Sequence, residues 1–151
     1  DSQPSRELFA EVIEAIQTGR YLAGGCTVIL DGSYPMVGNV ARVWNVISRT
    51  MKYVAGSFIF CETAAFRQLG GFDIRLYASE EINLSRRLKR LAREQGRKLI
   101  ILHRHPLVTS ARKIHLYSLR EHFHFFTRTI LNWRGTLGDR GACHTWYDGR
   151  R

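Results

Sequence analysis

Apolar residues along this chain fall into helical and extended periods in alternation. After Pro4, the residues Leu8, Phe9, Val12, Ile13 and Ile16 recur at helical spacing until Gly19. This predicts a first helix, with the proline in the turn where a missing N–H costs nothing. Residues 22–30 are apolar, with β-branched positions towards the end, and read as a strand closed by the turn Asp31-Gly32-Ser33-Tyr34-Pro35. Residues 38–53 follow a helical period with Val43, Val46, Ile47 and Met51 on one side, and residues 54–60 read as a second strand. A short helix over 63–69 is broken by Gly70-Gly71. From Glu80 to Gln95, Leu84, Leu88 and Leu91 fall at i, i+4 and i+7, the opposite face is basic, and Gly96 suits a C-cap. Leu99 to Leu102 make a further strand. Residues 115–133 give another helical segment, striped by Leu116, Leu119, Phe123, Phe126, Ile130 and Leu131, and the glycine-bearing remainder to 151 reads as irregular. Helices alternating with strands predict a layered α/β domain.

Composition narrows the class. With 151 residues and 44% hydrophobic content, the chain has the length of one domain and the make-up of an ordinary globular protein. No run of about 18 apolar residues exists to span a bilayer, and no basic-then-apolar leader opens the sequence. It starts on Asp1 rather than Met and enters a helix at once, which reads as a fragment of a longer protein. Cys26, Cys61 and Cys143 are an odd number without a Cys-X-X-Cys pair, so a reducing, cytoplasmic setting is expected rather than a disulfide framework. Twenty-three basic against 13 acidic residues give a net charge of +10, which favours a polyanionic or phosphorylated partner.

Chemistry concentrates between residues 70 and 88. The pair Gly70-Gly71 sets a sharp turn, Asp73 follows, and Glu80-Glu81 stand just before the helical pattern. Carboxylates at a helix N-terminus are held ionised by the dipole and can accept a hydroxyl proton; the same two residues also suit plain helix-start stabilisation. Asp73 suits turn capping equally well.

The stretch Gly-Gly-Phe-Asp followed by an acidic pair resembles family 2 glycosyltransferases, which have the GT-A fold. Asp1-Ser2-Gln3-Pro4-Ser5 resembles the end of that family's Asp-X-Asp stretch and the helix after it. Ala55-Gly56-Ser57-Phe58-Ile59-Phe60 resembles the strand entering the acceptor site, and Thr109-Ser110-Ala111-Arg112-Lys113 the loop after the last core strand. The resemblance covers residues 1–113 and implies the acceptor-side half of a GT-A domain, with 114–151 as a C-terminal helix and tail. It further implies transfer of a sugar from a nucleotide-sugar donor to an acceptor hydroxyl with inversion, the acceptor being a carbohydrate or lipid-linked. Glu81 or Glu80 would be the general base; the family's usual second residue is Asp, and Glu81 is one methylene longer. Asp73, Gly71 and Gly56 would line the acceptor site. Arg87 and Arg112 would meet donor phosphate. Asp1 and His103 would ligate Mg²⁺ or Mn²⁺. The isolated chain would be incomplete and inactive.

Two uses remain open for the basic C-terminal part. Its striped helix can pack on the domain, or lie against an anionic membrane as a peripheral contact. A different class of function, a non-catalytic basic module for nucleic acid or an anionic surface, rests on the same charge. No nucleic-acid motif in its proper context accompanies it, so no specific nucleic acid is expected.

Overall fold

A computed structural model describes residues 2–31, 35–76 and 80–110 of the chain. The domain is mixed α/β. In chain order the elements are β1 (Ser2–Gln3), α1 (Arg6–Gln17), β2 (Tyr21–Asp31), α2 (Pro35–Met51), β3 (Ile59–Cys61), α3 (Thr63–Gln68), α4 (Glu80–Glu94) and β4 (Lys98–Ser110). The strands form one sheet in the order β1-β4-β2-β3. The central pair β2 and β4 is parallel, and the short edges β1 and β3 run antiparallel to their neighbours.

Local chemistry explains most element ends. Ser5 caps α1 by accepting the Leu8 N–H at 3.1 Å. Both α3 and α4 stop at a glycine in the left-handed region, Gly70 (φ 73°) and Gly96 (φ 66°). In each case the next N–H reaches back across the last turn, from Gly71 to the Phe66 carbonyl and from Arg97 to the Ala92 carbonyl. That pairing satisfies carbonyls the helix leaves open.

Side chains alternate across the sheet, so helices cover both faces. Leu99 of β4 joins Leu22 and Ala23 of β2 beneath Leu84, Leu88, Leu91 and Ala92 of α4 and Ala65 of α3. Leu102 and Leu107, with Cys26 and Val28, pack instead under Leu8, Val12 and Ala15 of α1. Leu84 and Leu88 are fully buried, and each such side chain contributes about 1.5–3 kcal/mol by leaving water. The close strand spacing at β2 depends on Gly24 and Gly25. A Cβ on Gly24 would lie 2.5 Å from the Ile100 carbonyl oxygen, and one on Gly25 would lie 3.0 Å from that of Phe58.

Several expectations shift. The predicted strand over 54–60 shrinks to Ile59–Cys61. Lys52 takes a positive φ of 53°, and Ser48 Oγ donates to the Tyr53 carbonyl at 2.5 Å, so the chain leaves α2 through a tight turn before it can pair. In contrast, β4 runs well past Leu102. It carries five steps, Leu102 to Leu107, where β2 carries two, Cys26 to Val28. His103, Arg104 and His105 therefore lie inside β4 at an outward irregularity rather than after its end, and Thr109 and Ser110 are strand rather than loop. The expected helix over 115–133 and the boundary at 113/114 lie outside the described residues. No described helix is long and apolar enough to cross a membrane.

The apolar sides expected of α1 and α2 also divide. Leu8 and Val12 are buried, but Phe9, Ile13 and Ile16 are about half exposed, as are Val43, Val46 and Met51 on α2. The α2 helix docks through other groups. Asn45 accepts from the Val28 N–H at 2.9 Å and donates to the Val28 carbonyl at 2.8 Å, so its amide satisfies the β2 edge beyond the end of β3.

Candidate functional site

Helix α4 begins at Glu80, and both Glu80 and Glu81 lie in its first turn. Their charges complement the positive end of the dipole by about 0.3–1 kcal/mol each. Glu81 lies over Gly56: a Cβ built there would be 3.7 Å from the Glu81 carboxyl carbon. Two candidates from distant parts of the sequence are thus neighbours.

Ser85, one turn further along α4 and fully buried, sets this approach. Its Oγ donates to the Glu81 carbonyl at 2.8 Å and accepts the Val54 N–H at 3.1 Å. The hydroxyl ties the segment before Gly56 to the acidic turn. Sequence reading passed over Ser85. Its signal was a small polar residue next to Leu84 on the otherwise apolar face of α4.

Arg87 makes the corresponding tie to the glycine turn. Its guanidinium donates to the Leu69 carbonyl at 2.8 Å, the Gly71 carbonyl at 2.6 Å and Asn83 Oδ1 at 2.8 Å. A planar fork matches such a cluster of oxygens better than an ammonium would. Gly71 itself has φ 72°, and a Cβ there would stand 3.3 Å from the Phe66 ring. Phe66 and Phe72 meet edge to face at 5.7 Å, which closes the turn from the other side.

Asp73 follows this turn. Arg75 donates its backbone N–H and Nε to Asp73 Oδ1, at 3.1 and 2.9 Å, and Nη2 to Oδ2 at 2.9 Å. The guanidinium contacts foremost, then the backbone N–H, hold the Asp73 carboxyl down at about 2, and the Arg87 charge adds to this. Asp73 is therefore an anion throughout the neutral range. It can accept hydrogen bonds from hydroxyls.

His103 belongs to different surroundings. It lines a groove of about 480 Å³ with Glu11 and Glu14 of α1, Arg49, Lys52 and Arg104. Arg104 bridges the two glutamates there, Nε to Glu11 Oε1 at 2.9 Å and Nη2 to Glu14 Oε2 at 2.6 Å. None of the other described site residues, Gly56, Gly71, Asp73, Glu80, Glu81 and Arg87, lines that groove. Asp1 and Arg112 lie outside the described residues. Among the described residues, no group of three or more His, Cys, Asp or Glu side chains could hold a metal ion. Of the two expected ligands only His103 is described, and its neighbours in the groove do not complete a divalent-cation site with it.

The basic face of α4 is also defined. Arg86 and Lys89 approach the Tyr53 ring at 5.8 and 5.3 Å, while Lys89 Nζ donates to the Met51 carbonyl at 2.7 Å. Arg90 pairs with Glu94 along the helix. Arg97 stands apart from these. It donates to the Gly19 and Tyr21 carbonyls and to Glu62 Oε1, bracing the ends of α1, β2 and β3.

Compared with known proteins, the chain matches no family model, no curated protein and no solved structure.

Proposed function

We propose that this chain is the acceptor-side part of a family 2 glycosyltransferase of GT-A type, acting on a nucleotide-sugar and an acceptor alcohol. The supporting observation is the convergence on one helix start. The α4 turn holds Glu80 and Glu81, meets Gly56 through Glu81, and is tied by Arg87 to the turn that leads into Asp73. These are the positions on which the sequence resemblance rests.

In this reading the acceptor hydroxyl lies against the Gly56 segment, where the missing side chain leaves room. Its proton passes to the Glu81 carboxylate, with Glu80 as the other candidate. The oxygen forms a bond to the anomeric carbon from the face opposite the leaving group. The bond from that carbon to the diphosphate breaks, and the nucleoside diphosphate departs with the electron pair, so the configuration inverts. Asp73, held ionised by Arg75, orients hydroxyls of the acceptor. Cytoplasmic placement and contact with a membrane-bound acceptor belong to the same proposal.

The test uses the protein that contains this chain, incubated with a panel of nucleotide-sugars and acceptor alcohols. Acceptor-dependent release of nucleoside diphosphate is expected. Glu81→Gln should lower turnover by ~10²–10⁴ with little change in donor affinity. A loss confined to Glu80→Gln would exchange the two roles. Turnover left intact by both substitutions would end the proton-transfer assignment.

A further inference from the structure

We propose that the groove lined by α1, the end of α2 and β4 binds a small aminoalkyl phosphate, a ligand with a phosphomonoester at one end and an ammonium at the other. The proposal is independent of the glycosyltransferase reading. The groove holds about 480 Å³, a volume in the range of small-molecule sites. Its charged lining comes from three separate elements. Helix α1 supplies Glu11 and Glu14, the end of α2 supplies Arg49 and the following Lys52, and β4 supplies His103 and Arg104.

The acidic side is short of a donor. Arg104 alone holds both carboxylates, through Glu11 Oε1 and Glu14 Oε2, so one negative charge there is unbalanced. Glu11 carries the sharper deficit. It is 5% exposed, and its Oε2 is buried with no hydrogen-bond partner. Such an oxygen has given up water and gained nothing in return. The terminal torsion of a glutamate is soft, so a modest turn of the carboxyl brings Oε2 to a donor seated in the groove. An ammonium fits this place: it offers three N–H groups and the single positive charge that Arg104 leaves wanting.

The basic side is short of an acceptor. Arg49 and Lys52 are exposed, and among the described residues neither side chain has a hydrogen-bond or ion-pair partner. Two unpaired cations call for an anion with more than one charge. A phosphomonoester carries about −1.5 to −2 at neutral pH, whereas a carboxylate would balance only one of the pair. Arginine grips two phosphate oxygens with its fork and lysine adds a point charge. His103, also exposed and unpartnered, offers a further N–H from β4. Ala15, Ile100 and Leu102 add carbon to the lining, against which a short alkyl link can lie. The count agrees as well: His103 aside, the groove holds three cations against two carboxylates, and the ligand has the opposite imbalance.

The experiment titrates the full 151-residue chain with 2-aminoethyl phosphate at low salt, by isothermal titration calorimetry. Three comparison ligands each lack one feature. Ethyl phosphate has no ammonium, ethanolamine has no phosphate, and glycerophosphoethanolamine is a diester of the lipid-headgroup kind with a single phosphate charge. One-to-one binding of 2-aminoethyl phosphate is expected, and each comparison ligand should bind at least about tenfold more weakly. Arg49→Gln/Lys52→Gln should abolish binding of both phosphomonoesters. Glu14→Gln should weaken 2-aminoethyl phosphate severalfold and leave ethyl phosphate unchanged or tighter. All three substituted side chains are exposed, so the variants should keep the wild-type circular dichroism spectrum. No binding at ~10 mM ligand would overturn the proposal, on the scale where millimolar affinity is already weak. Equal affinity for 2-aminoethyl phosphate and ethyl phosphate would overturn it too, as would a diester that binds as tightly as the monoester. So would binding that survives in Arg49→Gln/Lys52→Gln but is lost in Arg90→Gln/Arg93→Gln, which would move the site to the basic face of α4.

Discussion

Substituting Gly24 by alanine adds one carbon where β2 and β4 are closest. The new Cβ would stand 2.5 Å from the Ile100 carbonyl oxygen, 2.6 Å from Phe60 Cζ and 2.8 Å from Ile100 Cγ2. Carbon and oxygen rest at about 3.3–3.6 Å, so the overlap with the carbonyl approaches 1 Å. The Phe60 ring can turn away. The Ile100 carbonyl cannot, because Gly24 and Ile100 are direct partners in the parallel ladder. Relief requires parting the two central strands. Overpacking of this kind costs about 1–3 kcal/mol, and each ladder hydrogen bond lost adds about 1 kcal/mol, giving roughly 3–5 kcal/mol. That is a large share of the 5–15 kcal/mol that typically holds a domain together. At about 2–4 °C per kcal/mol the melting temperature should fall by roughly 6–20 °C. Two further glycines calibrate the effect. At Gly25 the nearest atoms are Phe58 O at 3.0 Å and Val54 Cβ at 3.1 Å, so Gly25→Ala needs shifts of only a few tenths of an ångström and should cost about 1–2 kcal/mol. At Gly38 in α2 nothing lies within 4 Å, and Gly38→Ala should stabilise by about 0.5–1 kcal/mol through backbone entropy. Urea unfolding followed by circular dichroism measures all three. A Gly24→Ala protein within about 1 kcal/mol of wild type, or one less damaged than Gly25→Ala, would refute the steric argument.

Arg87→Met keeps much of the side-chain volume but removes the donors to the Leu69 and Gly71 carbonyls. Stability should fall by about 2–3 kcal/mol, and hydrogen exchange should rise selectively over residues 69–76; unchanged exchange there would show that the turn does not depend on the clamp. The Cys26 thiol, pushed up to about 11 chiefly by burial, should resist maleimide at neutral pH in the folded protein. Because its folded pKa lies above the ordinary value of 9.0, its contribution to stability is full below about pH 9 and lost as the pH rises towards 11. Cys26→Ala should remove that part of the alkaline decline in unfolding free energy, and an identical decline in the variant would contradict it.

Periodicity was enough to place α1, α2, α4 and β2 to within a few residues. A helical stripe or an apolar run is a local property that the backbone expresses wherever its neighbours permit. The glycines at 70, 71 and 96 were equally legible, since left-handed residues after a helix carry their own steric reason. The stretch 54–60 misled because its strand-like composition cannot report the tight exit from α2 at Lys52 and Tyr53. The length of β4 was hidden for a related reason. Its middle, His103 to Pro106, has no strand-like alternation, and pairing resumes at Leu107 because β2 is there to receive it.

Among the candidate residues, the sequence by itself determined that Glu80 and Glu81 would start a helix and that Gly71 would turn the chain before Asp73. Tertiary structure alone decided that Gly56 lies under Glu81, that buried Ser85 joins Val54 to the acidic turn, and that Arg87 spends its fork on two carbonyls of the glycine turn. It also decided which half of the α1 apolar sector faces the sheet, burying Leu8 and Val12 and leaving Phe9, Ile13 and Ile16 half in water. The reason is common to all of these. A residue's chemistry and period belong to its immediate neighbours in the chain, whereas its partner is set by whichever distant segment the packed sheet brings alongside.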